Sequence, residues 1–329
     1  MHCRLLLPDL PPLVAATPQL PPGLAALSRY GQVTASPECE AASWLCRAFG
    51  AERQQDVPAA PYALLGDGGT PGSGYWLRAD PVAVQLMRNR LVLLAGGAAA
   101  PSGEEAAQFV ETLNRHFAAD GLCFSAPHPW RWYLRLPAAP ALRTHSLAEA
   151  EGRDIRHFLP AGEDGARWRK RLNEAQMLLH AHPLNAAREA AGKPPVNSIW
   201  PWGGGTLSQP LAAPCDRLYG DDPLARGLAI AAAIPHAPLP PAFPQNPEPA
   251  AAPLFVMENL GDTMRQDAAR KDALERLDRD WLAPAVAALR RGNIGRLTVI
   301  APGERGAIEI TLTRPDLWKF WRRGTQRLL

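Results

Sequence analysis

Apolar positions along the chain recur in two rhythms. Unbroken runs such as CRLLLP near the start and PLFV, RLTVIAP and AIEITLT toward the end predict buried strands. GLAALSRYG reads as a short helix closed by Gly31, and 38–49 as a second helix, with Cys39, Ala42, Cys46 and Phe49 at helical spacing. From residue 62 strands are expected: YALLGDG, GYWLRADPVAVQL and RLVLLAG, the last two joined by an RNR turn as in a hairpin. An amphipathic helix is predicted over 104–119, with Ala107, Val110, Leu113 and Phe117 on one stripe, and LCFSAP and WRWYLRLP follow as strands. The longest helical stretch, 167–191, contains Pro183, which breaks or kinks it. VNSIWPW is a strand that runs into three glycines. In DDPLARGLAIAAAI, Asp221 or Asp222 stands at a helix start with Pro223 just inside. The proline-rich stretch 235–253 is a loop, and 270–291 is a helix. These elements predict an α/β protein in which 1–60 and 160–329 form a sheet flanked by helices and 61–159 a smaller α+β unit.

Composition narrows the picture. With 329 residues, 47% hydrophobic and 20% charged, the chain has material for one large core or two ordinary ones. A formal charge of +3 is too near balance for a whole-protein field that attracts polyanions. Arg314, Lys319, Arg322, Arg323 and Arg327, with Trp318, Phe320 and Trp321, form a basic terminal segment that suits a solvated helix, with nucleic acid or a membrane surface as the alternatives. The five cysteines are scattered without a CxxC pair, which argues against a disulfide framework or zinc site and for a reducing, cytoplasmic setting. The N-terminal apolar stretch is broken by Pro8 and Asp9, and no run of eighteen apolar residues occurs, so neither a signal peptide nor a membrane span is expected.

The densest stretch is HPLNAAREAAGKPPVNSIWPWGGG, residues 182–205. A strand entering glycines presents backbone N–H groups to an anion, but Gly203, Gly204 and Gly205 are followed by no Lys-Ser pair and lack GxGxxG spacing. A packed turn and a phosphate cradle both remain open. The stretch resembles archaeal-type cofactor-independent phosphoglycerate mutases, in which an asparagine and an arginine on a helix, a Gly-Lys turn, an asparagine before a strand and a Trp-Gly-x-Gly end occur in this order. LRTHSLAEAEGRDIRHFLP and YGDDPLARGLAIAAA resemble the same enzymes on either side, and ATPQLPPGLAALSRYG is similar to a signature of the alkaline-phosphatase superfamily. The whole arrangement, with YWLRADPV and RWYL, looks closest to bacterial regulatory proteins of the RpfE type, the most specific part being 143–233.

That resemblance implies a phosphatase-like sheet and, in the working enzymes, two metal ions with a Ser or Thr nucleophile. The chain departs from it. Asp9 stands alone after the first strand, LTVIAPGERG supplies only Glu304 where an Asp-His pair is usual, and no histidine follows His236. Thr34, Ser36 and Ser43 are equally placed for a nucleophile, so no catalytic residue is assigned and neither metal nor cofactor is expected. His180 and His182 suit a cap or the surface, and His128 lies in a proline-flanked loop. A remnant phosphate site is expected from Asn185, Arg188, Lys193 and Asn197, two cations and two amides around a rigid turn, with His145, His157 and the three glycines. Arg78 and Asp80 are either a further site pair or an internal salt bridge. The reading is a phosphoglycerate-mutase-like regulatory protein without a catalytic metal site, whose partner is a protein or a phosphorylated small molecule and neither membrane nor nucleic acid. An active metal-dependent mutase or phosphatase, and a nucleic-acid-binding regulator, are the alternatives.

Overall fold

The apolar run HCRLL forms β1 (His2–Leu6), followed by α1 (Leu10–Ala15), α2 (Pro22–Tyr30), β2 (Gln32–Ser36) and α3 (Ala41–Ala48). The computed structural model describes residues 1–8, 10–15, 19–38, 40–96, 100–208, 210–245, 252–258, 267–303 and 306–318. Helix α2 has no cap of its own; the Gly23 and Leu24 N–H groups donate to the buried Asp278 carboxylate at 3.1 and 2.8 Å. A carboxylate is favourable there because it satisfies unpaired donors at the positive end of the helix. A Cβ on Gly23 would lie 2.5 Å from the Ala283 nitrogen, so glycine allows this close approach.

The chain then enters a second compact unit, 51–209, while 1–50 and 210–329 make up the first. The stretch from residue 62, expected as a strand, instead falls within α4 (Ala59–Gly66). Apolar on all sides, this segment has neither a helical nor a strand period, and its nearly complete burial suits a short internal helix. The long strand β3 (Tyr75–Met87) and β4 (Arg90–Ala95) form the expected hairpin, with Arg88 at φ 55° in its two-residue turn. Helix α5 (Gly103–Phe117) begins in a Ser102–Glu105 capping box. It buries Ala106, Phe109, Val110, Leu113 and Phe117, while Ala107 faces solvent. Strands β5 (Cys123–His128) and β6 (Arg131–Leu136), the short α6 (Leu147–Ala150), α7 (Gly165–His180), α8 (Pro183–Ala190) and β7 (Ser198–Gly205) complete the unit. Pro183 sits at the first position of α8, where the missing N–H leaves no bond unmade. The sheet runs β4-β3-β6-β5 with β7 on the other edge of β3, all antiparallel. Residues 160–209, expected in the larger core, therefore belong here: β7 is a partner of β3, and Trp168, Leu172, Ala175 and Leu179 share a core with Leu77, Phe109 and Trp132.

The first unit resumes with β8 (Arg217–Tyr219), α9 (Pro223–Ala231), the two-residue β9 (His236–Ala237) and β10 (Pro253–Val256). Helix α10 (Asp267–Leu277) continues through a π-helical turn, Asp278–Leu282, into α11 (Ala283–Arg291), and β11 (Arg296–Ala301) and β12 (Ala307–Thr313) follow. Its sheet has the order β2-β12-β11-β1-β10-β8-β9. Strands β11, β1, β10, β8 and β9 are mutually parallel, and β12 and β2 close one side antiparallel. Leu5, Phe255, Leu297 and Val299 of these strands pack with Leu24, Leu274, Leu282 and Leu289 of the helices. The molecule is a mixed α/β protein with sheets flanked by helices.

Candidate functional site

In the first unit the parallel strands β1, β10, β8 and β9 all end on one side of the sheet, where open α/β sheets place their ligands. A cavity of about 450 Å³ lies at these ends. Leu7, Leu10, Leu239, Met257, Leu277 and Trp281 give it apolar walls, and Asp221, Glu258, Arg276 and Asp280 bring charge. Two of these four groups are already engaged. Asp221 accepts from the Leu239 N–H at 3.2 Å, and Arg279 grips Asp280 at 2.8 and 2.9 Å, which holds its carboxyl below the usual range. The neighbouring Asp222 caps α9 through the Ala225 N–H at 2.8 Å.

A dinuclear centre needs several carboxylates and imidazoles converging to neutralise two close cations. Among the described residues no group of three or more His, Cys, Asp or Glu is arranged to hold a metal ion. Asp9 and Glu304, the acids singled out in the sequence, lie outside the described residues, as do 319–329 of the basic terminal segment. The candidate nucleophiles Thr34 and Ser36 lie on β2, in register with β12, and the Ser36 hydroxyl is bonded to Glu38 and Arg47.

The residues proposed for a phosphate site all lie in the second unit. Arg78 and Asp80 point to one face of β3 and bond through Nε and Nη2 to Oδ1 at 3.0 and 2.6 Å, with Asp80 only 1% exposed. Trp202 donates to the other Asp80 oxygen at 2.8 Å, and the Arg78 guanidinium lies 5.1 Å from the Tyr133 ring and 5.4 Å from that of Trp202. Tyr133 donates to Asp67, which also takes two bonds from Arg131 at 2.8 and 2.7 Å. Burial pushes the Asp67 carboxyl up, but these bonds outweigh it and hold the group below the ordinary carboxylate range. Of this network only Arg78 and Asp80 were legible in advance. Arg131, Tyr133 and Arg135 alternate with Trp132, Leu134 and Leu136, a period of two that marks one polar strand face and that could have drawn attention to Arg131 and Tyr133.

The other candidates are dispersed and engaged with backbone. Asn185, 3% exposed, donates to the Leu179 and Val196 carbonyls and accepts from the Val196 N–H, a clamp that ties the end of α7 to the approach to β7. Arg188, 2% exposed, bonds to the Pro194 carbonyl at 3.0 Å and to Glu105 at 2.7 Å. Asn197 pairs its amide with both the N–H and C=O of Val84, extending the ladder of β7 by a side chain. Lys193 and His157 are exposed, and His145 is bonded to Glu149 at 3.1 Å. His182 caps α8 through the Leu184 N–H. The three glycines end β7 opposite an irregularity between Trp76 and Arg78, with Gly203 at φ 68°. Their open faces are filled by protein: a Cβ would meet Ala59 at 3.1 Å from Gly203, Tyr75 at 2.5 Å from Gly204 and Pro58 at 2.5 Å from Gly205. The structure thus brings together Arg78 with Asp80, and Asn185 and Arg188 with the 194–196 segment, without converging them on one open site.

No protein-family model matches the chain. The 2,3-bisphosphoglycerate-independent phosphoglycerate mutase of Methanosarcina barkeri is 32% identical over 120 residues, 36% of this chain, and that of Methanosarcina mazei is 28% identical over 121 residues. The match spans 30% of the length of either relative. The solved PH0037 protein from Pyrococcus horikoshii has a similar fold, with a TM-score of 0.54 at 14% identity over 95% of this chain and 87% of that one. A cofactor-independent phosphoglycerate mutase from Thermoplasma acidophilum aligns with a TM-score of 0.47 at 15% identity, over 99% of this chain and 93% of that one.

Proposed function

We propose that this chain is a phosphoglycerate-mutase-like regulatory protein of the RpfE type, acting by binding rather than by metal-dependent phosphoryl transfer. The observation that carries the reading is the donor set at the ends of the parallel strands. Phosphoryl transfer by a two-metal site needs cations to neutralise charge on both the attacking and the leaving oxygen. At the described strand ends, Asp221 and Asp222 are turned to backbone N–H groups, Asp280 is matched by Arg279, and the cavity between them is mainly apolar. Such a surface suits an apolar segment of a partner or a small molecule better than a multiply charged phosphate ester. The likeness to phosphoglycerate mutases supports the scaffold but not the activity, since one scaffold serves many chemistries.

The test is elemental analysis of the purified full chain together with a phosphoglycerate mutase assay, with and without chelator and with manganese added back. The expected result is substoichiometric manganese and zinc and no chelator-sensitive turnover. Two tightly held ions per chain, with activity lost on chelation and restored by metal, would make the chain a working mutase.

A further inference from the structure

The second unit has a cavity of its own, about 450 Å³, whose wall includes Ser73, Gly74, Cys123, Arg135, Pro137 and Thr206. Arg135 lies on β6 between Trp76 of β3 and Cys123 of β5, its register partners. Its position differs from that of the other strand arginines nearby. Arg78 is matched by Asp80 and Arg131 by Asp67, and elsewhere in the unit Arg188 is matched by Glu105 and Arg171 by Asp120. Among the described residues Arg135 has no carboxylate partner, and the cavity lining contains neither Asp nor Glu. Asp120 is engaged by Arg171, and Asp56 by the backbone and hydroxyl of Thr144.

Space beside the guanidinium is kept by backbone. A Cβ on Gly74 would stand 3.1 Å from Arg135 Nε and 3.1 Å from Trp76 Nε1, so a larger residue would crowd both. Gly121, also in the cavity lining, turns at φ 67°, and a Cβ there would lie 3.5 Å from Pro137. The result is a concavity of ligand size lined by one exposed guanidinium without a carboxylate partner, by Ser73 and Thr206, and by the apolar Leu136, Pro137, Ala138 and Ala139.

We propose that this cavity binds a small organic anion, with a phosphate or carboxylate head on the Arg135 guanidinium and its carbon body along Pro137 to Ala139. The planar fork of arginine donates two parallel hydrogen bonds to such a head, and no carboxylate in the wall competes for it. The site lies in the other unit from the strand-end cavity, and the proposal does not rest on the function proposed above.

Cys123 supplies the readout, because its thiol is exposed on the cavity wall while those of Cys3, Cys46 and Cys215 are buried. In the full-length chain, alkylation by iodoacetamide at pH 8 is followed at the Cys123 peptide by mass spectrometry. Phenyl phosphate and benzoate are the anionic probes, with benzylamine as the cationic control. At ten times its Kd a probe leaves about one site in ten free, so alkylation should slow by about tenfold with either anion and remain unchanged with benzylamine. In Arg135→Gln the rate with and without anion should be equal. Continued resistance of the three buried cysteines to alkylation reports that this variant is folded. The proposal is overturned by three outcomes. One is no protection up to about 10 mM, where even a ~1 mM site would be about nine-tenths filled. The second is equal protection by benzylamine. The third is protection of folded Arg135→Gln to the same extent as the parent.

Discussion

The first unit surrounds a largely parallel sheet with leucine, valine, isoleucine and phenylalanine, and its buried polar side chains are Thr298, Asp278 and Asp316 among the described residues. The second unit, smaller and antiparallel, buries Asp56, Arg78, Asp80, Asn185, Arg188 and Ser198. The difference follows from sheet type. Parallel strands covered by helices on both faces must be apolar on both, whereas an antiparallel sheet has a face that can be polar, and here the buried Arg78 and Asp80 on that face are paired with each other. Burial of polar groups in the second unit is therefore a matter of specified geometry, since each group must meet its partner. In the first it is local repair, as where Asp278 caps α2.

The sharpest break of this comparison removes one half of a buried pair. Asp80→Ala leaves the Arg78 guanidinium buried without its carboxylate and should lower stability by about 3–5 kcal/mol, read by chemical denaturation. The joint replacement Arg78→Met with Asp80→Leu should cost much less than that, because no charge is left unpaired. If Asp80→Ala changes stability no more than a surface substitution, the network does not hold the second unit together.

A smaller effect is expected where β7 meets α4. Gly203→Ala places a side chain at φ 68°, against Ala59, and should destabilise by about 1–2 kcal/mol. Gly205→Ala drives a Cβ into Pro58 and should lose about 1–3 kcal/mol through overpacking without any strain in φ. Thermal melting of both variants checks this, and an unchanged melting temperature for either would show that α4 yields at that point.

The weakest effect separates the units by pH. His2 of the first unit, bonded to Thr298 at 2.9 Å, has its pKa lowered to about 4 by burial and by Arg4 and Arg296. A histidine that resists protonation when folded contributes stability above its unfolded value, about 6.5, and that contribution is lost as pH falls from there toward 4. Asp67 of the second unit has a depressed pKa, so its contribution is present above the ordinary carboxylate value and disappears only as pH falls through its lower folded value. Protection factors from hydrogen exchange should therefore weaken in β1 before β6 on acidification, and His2→Gln should flatten the first response. Loss in β1 over the same pH window in His2→Gln as in the parent would remove His2 as the cause.

Local chemistry made much of the fold readable in advance. The break at Pro183, the Asp222–Pro223 start of α9 and the hairpin at Arg88 are each set by a few adjacent residues. The stretch from residue 62 reads as a strand in the sequence but lies in α4, because a short, wholly apolar segment has no period. Only the neighbours it packs against, Gly203 to Gly205 among them, decide that it is a helix. The candidate site was less legible. Arg188 and Asn185 have the chemistry of ligand-binding residues, but their partners are Glu105, Pro194 and Val196, and Asp80 meets a tryptophan 122 residues away.

By itself the sequence determined the helix starts at Pro183 and Asp222–Pro223, the β3–β4 hairpin and which residue types are available for chemistry, because propensity, capping and alternation act within a few residues of one another. The tertiary structure decided that 160–209 joins the antiparallel unit and that Asn185 and Asn197 are spent on backbone. It also decided that Arg135 lines a cavity without a carboxylate partner among the described residues, whereas Arg78 and Arg188 are paired with Asp80 and Glu105. The physical reason is that pairing and burial depend on residues brought together from distant parts of the chain, and a charged side chain has the same identity in the sequence whether its counter-charge is present in the fold or must come from a ligand.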